Sequence, residues 1–127
     1  MTKSSKASHQ LNADVVGYWE GEALERGRRY SYRPEFLPLL LDYLGVGAQM
    51  RILDVGCGTG FLARLMAQNS QNVRVVGLEG DGRLLTIGQK KLAMERLEDR
   101  VSLGQGDAYG LPFYDGEFDL ATSHTLL

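Results

Sequence analysis

At 127 residues, the chain has room for one domain with a usable core. Its 43% hydrophobic and 24% charged residues are ordinary for a globular protein, and a net charge of −2 gives no electrostatic case for nucleic acid or an anionic membrane as main partner. No run approaches the roughly 18 apolar residues of a membrane span. Residues 1–8 lack the apolar centre of a signal peptide. Cys57, the single cysteine, excludes an internal disulfide and forms no metal cluster with His9 and His124. The expectation is a cytoplasmic protein without a bound metal.

Residues 1–9 are polar and rich in serine and lysine, the composition of a disordered tail. From Asp14, a candidate cap, the positions of Val15, Val16, Tyr18, Trp19, Ala23 and Leu24 suggest an amphipathic helix. Residues 25–34 then alternate basic and aromatic side chains. They read either as a solvated loop whose tyrosines pack on the domain, or as a lid. In a lid, Tyr30 or Tyr32 covers a ligand, and Arg29 or Arg33 meets a carboxylate as a charge-assisted pair. Residues 34–44 read as a helix that Gly45 ends in a left-handed turn, with Pro34 at its first position or Pro38 marking the true first turn. Its apolar residues are too numerous for an exposed helix, so the element should pack against a sheet. Residues 10–49 thus form an N-terminal helical or lid segment ahead of a domain over 50–127.

That domain opens on Arg51-Ile52-Leu53-Asp54-Val55-Gly56-Cys57-Gly58-Thr59-Gly60. Ile52, Leu53 and Val55 give a buried strand, and the three glycines clear the backbone for a sharp turn close to a ligand. Phe61, Leu62, Leu65 and Met66 at helical spacing start a helix directly after them. Residues 73–78 form a second strand ending at Glu79, about twenty residues beyond Gly60, where such folds place the carboxylate that accepts ribose hydroxyls. Asp81 suits the N-cap of the next helix, residues 82–97, which Gly88 interrupts. Residues 101–105 form a third strand, after which Asp107 reaches the same sheet edge as Glu79. Leu111-Pro112-Phe113-Tyr114-Asp115-Gly116 is a turn, residues 117–123 a fourth strand, and His124 follows it. Strands separated by helical segments predict right-handed βαβ units: an α/β fold, doubly wound, with a mainly parallel sheet and helices on both faces.

Four blocks, 53–60, 75–79, 106–113 and 118–127, together resemble class I S-adenosylmethionine-dependent methyltransferases, and most closely their small-molecule branch. The Gly-x-Gly-x-Gly spacing separates this motif from the dinucleotide fingerprint. The resemblance implies S-adenosyl-L-methionine as cofactor, S-adenosyl-L-homocysteine as product and a small-molecule methyl acceptor. It also implies roles for individual residues. Gly56, Cys57, Gly58 and Gly60 would cradle the methionine and ribose part, with Thr59 nearby and Asp54 beneath the amino group. Glu79 would hold the ribose hydroxyls. Asp107 and the Ala108 backbone would meet the adenine, and Ser123 would line the methionine side. His124 is either a general base for acceptors that lose a proton or an ordinary polar residue near the pocket. The family's sheet has seven strands in the order 3-2-1-4-5-7-6, so this chain would carry the first four, in the order 3-2-1-4, as a truncated domain. Its fourth strand would be an open apolar edge, available for self-association. The alternatives are a non-catalytic cofactor-binding module and a nicotinamide-dependent oxidoreductase.

Overall fold

The structure, a computed structural model, describes residues 20–29, 33–107 and 109–123. The expected tail, the helix start at Asp14, Tyr30, Tyr32, Ala108 and His124 lie outside the described residues. Residues 20–29 form helix α1, followed by α2 (Leu37–Leu44), β1 (Arg51–Val55), α3 (Phe61–Asn69), β2 (Arg74–Glu79), α4 (Gly82–Glu95), β3 (Val101–Gln105) and β4 (Leu120–Ser123). The four strands make one sheet in the expected order β3-β2-β1-β4, and every pairing is parallel.

Register decides what each face buries. Ile52 lies beside Val75 and Leu120, and Val75 beside Val101, so these residues point the same way. Leu37 and Leu41 of α2, Leu62, Ala63 and Met66 of α3, and Leu85 and Leu92 of α4 join Ile52, Val75 and Val101 in a single core. Ile52, Met66 and Leu92 are almost wholly buried. Truncating any of them to alanine costs about 2–5 kcal/mol. On the opposite face Leu53 shares a groove with Leu111, Phe113 and Phe118, the last two packed edge to face at 4.9 Å.

Two local expectations are corrected. Residues 25–29 are helix rather than loop, because α1 turns one face inward at helical spacing. Gly21 and Glu25 on that face are buried, and Glu25 is held by the Thr59 hydroxyl and the Arg64 guanidinium. The helix read over 34–44 begins only at Leu37, after a turn in which Phe36 N donates to Arg33 O at 3.0 Å. Pro38 lies in its first turn, where a missing N–H costs nothing. Gly45 closes it in the left-handed conformation, as read from the sequence. Only Leu37 and Leu41 of this helix reach the core; Leu39 and Tyr43 are exposed.

Candidate functional site

The glycine turn is built from its backbone. Gly56 and Cys57 both donate their N–H to Leu78 O, at 2.8 and 2.9 Å, which pins the turn to the end of β2. Gly60 N donates to Cys57 O at 2.9 Å and closes it. Gly58 sits at φ +61°, a conformation that calls for glycine, and a Cβ there would fall 2.8 Å from Leu24 Cδ2, so the leucine would also have to shift. Its N–H donates to Glu79 Oε1 at 2.9 Å. The other Glu79 oxygen accepts from Asp81 N at 3.0 Å. Asp81 caps α4 as expected, accepting from Arg83 N at 2.9 Å. The Arg83 contacts hold the Asp81 carboxyl below its ordinary pKa.

Beside this turn lies a cleft of about 900 Å³, at the carboxyl ends of the parallel strands. Of the sequence-derived candidates it brings together Gly56, Glu79, Asp107 and Ser123. They come from the ends of β1, β2, β3 and β4 in turn, the edge where open α/β sheets bind ligands. Asp107 Oδ1 accepts from Tyr109 N at 2.9 Å, and the second carboxylate oxygen can accept as well.

Five of the cofactor-site candidates do not line the cleft. Asp54 is buried at the end of β1, where Thr122 Oγ1 donates to its Oδ1 at 2.9 Å. Burial pushes its carboxyl up to about 6, against the opposing effects of the Thr122 bond and the Arg28 charge. The Cys57 side chain packs toward Gly77, where a Cβ would lie 2.8 Å from its sulfur. Burial, with the Asp54 and Glu79 charges, raises that thiol to about 12, so it stays protonated. Gly58 and Gly60 are buried within the turn, and the Thr59 hydroxyl points into the protein toward Glu25. Arg33, the described lid candidate, is exposed ahead of α2 and away from the cleft lining.

Two cleft residues with polar side chains, Gln105 and Tyr109, were not read as site residues from the sequence. Gln105 closes β3, and its Nε2 donates to Gly80 O at 3.1 Å, bridging two strand ends. Tyr109 is fully exposed on the rim. The signals were present: Gln105 is the last residue of a strand aimed at the site, and Tyr109 stands two places after Asp107.

A family model described as a methyltransferase domain matches residues 52–127, which is more than half of the chain and includes β2, β3, β4 and all of β1 but Arg51. The chain belongs to this methyltransferase domain family. A demethylmenaquinone methyltransferase of Lactobacillus johnsonii is 31% identical over 120 residues, spanning 92% of this chain and 48% of that protein. A ubiquinone/menaquinone biosynthesis C-methyltransferase, UbiE, of Dinoroseobacter shibae is 34% identical over 65% of this chain and 33% of its own length. The chain therefore spans about half or less of the length of these curated relatives. The crystal structure of a putative S-adenosyl-L-methionine-dependent methyltransferase from Methanococcus maripaludis shares the fold, with a TM-score of 0.75 and 23% identity over 89% of this chain and 50% of that one. Among the described residues no helix is long and apolar enough to cross a membrane.

Proposed function

We propose that this chain carries the S-adenosylmethionine site of a methyltransferase whose acceptor is a small molecule. The observation that carries the proposal is the convergence of the Glu79 and Asp107 carboxylates, from neighbouring strand ends, on one cleft beside the glycine turn. Those residues fit the group. Each Glu79 oxygen holds one backbone N–H and retains a lone pair, so the carboxylate can still accept two vicinal ribose hydroxyls. Asp107 offers its second oxygen to an exocyclic amine. Asp54, once ionised, puts a negative charge beneath the turn for an ammonium group.

When bound, the cofactor supplies a sulfonium methyl already activated toward nucleophiles. The chain's own residues are left to bind, align and exclude water, which is where most of the rate enhancement of such a transfer lies. Glu79 and Asp107 fix the nucleoside end, while Gly56 and Ser123 shape the end nearer the transferred group. His124 would take the proton from acceptors that must lose one. The names of the two quinone-pathway relatives support a small-molecule acceptor. Among the described residues β4 lies at the side of the sheet, and we infer that its outer edge pairs with a second copy of the chain.

Equilibrium dialysis against labelled S-adenosylmethionine tests this reading. Saturable binding displaced by S-adenosylhomocysteine but not by NADH is expected. Displacement by NADH alone would transfer the site to the nicotinamide-dependent enzymes.

A further inference from the structure

Helix α1 touches the glycine turn at points that cofactor binding does not itself use. Gly21 is so close to α4 that a Cβ would fall 2.2 Å from Ile87 Cδ1. Leu24 covers Gly58 from the same side. Between them, Glu25 is 1% exposed, and its Oε1 accepts from both the Thr59 hydroxyl and Arg64 Nη2. Arg64 turns its other terminal nitrogen to both oxygens of Glu95, at 3.0 Å each. A connected chain of polar groups therefore runs from the last residue of α4, through α3, to α1 and into the turn.

Thr59 is gripped from both sides. Its hydroxyl is held by Glu25, and its backbone carbonyl lies against α4 at Gly88, where a Cβ would come within 2.6 Å. A buried carboxylate is tolerated only when its partners are in place. Arg64 meets Glu25 from α3, whereas Thr59 meets it from the turn itself. Losing the Thr59 hydroxyl would therefore release the turn backbone on one side while leaving Glu25 its guanidinium.

We propose that Glu25 is a positioning residue for the cofactor turn. Through the Thr59 hydroxyl it sets the backbone of residues 58–60, so docking of α1 and binding in the cleft stabilise each other, a coupling that is necessarily reciprocal. The inference rests on the cofactor reading of the cleft. A purely structural ion pair would join α1, α3 and α4 without acting on the turn. Glu95→Gln separates the two roles, because it weakens the same network at its outer end and leaves Thr59 in place.

The test uses the full chain and two readouts: hydrogen exchange of the Gly58 and Gly60 amides without ligand, and S-adenosylhomocysteine affinity by calorimetry. In Thr59→Val and Glu25→Gln the two amides should exchange at least about tenfold faster, and affinity should fall about tenfold. Thr59→Ser, which keeps the hydroxyl, should recover most of both losses. Glu95→Gln should lower the melting temperature while the turn amides exchange near the native rate. Native exchange and affinity in folded Thr59→Val would overturn the proposal, as would equal loosening of the turn by Glu95→Gln. Should Glu25→Gln fail to fold, Thr59→Val and Thr59→Ser decide. Should the native chain bind no S-adenosylhomocysteine, the cofactor reading falls and the exchange rates alone decide whether Glu25 positions the turn.

Discussion

Glu79 accepts the Gly58 N–H at 2.9 Å, so the carboxylate that faces the cleft also holds the turn beside it. With the Asp81 N–H on its second oxygen at 3.0 Å, it clasps the turn and the start of α4 together. Glu79→Gln keeps one acceptor oxygen but places an NH2 group against a backbone donor. The substitution should therefore cost stability as well as affinity, by about 1–3 kcal/mol. Urea unfolding followed by circular dichroism would measure it. A native midpoint would mean that the two bonds contribute nothing to the fold.

Asp54 gives two pH dependences of opposite sign. Its carboxyl is pushed from 3.8 up to about 6 by burial, so between those values the folded state holds more protons than the unfolded one. Stability should therefore fall as pH rises from about 4 to about 6, by a total on the order of 3 kcal/mol at neutral pH. Asp54→Asn should flatten this dependence and raise the unfolding midpoint at pH 7. If Asp54 serves the amino group as proposed, affinity for S-adenosylhomocysteine should run the other way, rising with pH as Asp54 ionises. A midpoint that responds to pH equally in Asp54→Asn would assign the effect to another group.

Gly88 sets helix propensity against packing. Alanine in the middle of a helix is favoured over glycine by roughly 0.5–1 kcal/mol. Here its Cβ would sit 2.6 Å from Thr59 O and 2.7 Å from Leu103 Cδ1. A backbone oxygen cannot swing aside, and overpacking of this kind costs about 1–3 kcal/mol. Packing should prevail: Gly88→Ala should lower the melting temperature and disturb the turn amides. A stabilised variant would show that α4 is free to shift away from the turn.

The proposed pairing of β4 with a second copy should make association dependent on concentration. Sedimentation velocity is expected to show a species larger than the monomer that grows with loading. Ala121→Lys, an exposed position on this strand, should suppress it by putting charge on the edge. A monomer at every concentration would mean that the edge is protected.

Much of the fold and the cleft was legible in the sequence, for a physical reason. Strand ends in a parallel sheet point to one side, so Gly56, Glu79 and Asp107 could be placed together from their positions alone. Asp81 announced itself because capping is local, settled within two residues. Glu25 did not. Among arginines and tyrosines it reads as one more solvated charge, and only Arg64, 39 residues later, makes its burial tolerable. Gly88 looked like a flaw in its helix until the Thr59 carbonyl was found against it. The helix expected over residues 34–44 does pack on the core, through Leu37 and Leu41, while Leu39 and Tyr43 stay outside because one helix face is all that can be covered. Contacts between distant segments carry no local signature, and these are the places where the sequence fell short.

The most direct test of the central claim is a calorimetric titration of the chain with S-adenosylhomocysteine, beside Glu79→Ala and Asp107→Ala. The two carboxylates come from separate strands and share one cleft, so each should matter independently. Saturable binding by the native chain, weakened at least tenfold by each substitution, or about 1.4 kcal/mol, is the expected result. Native-like affinity in both variants, with their folds intact, would contradict the assignment of the cleft.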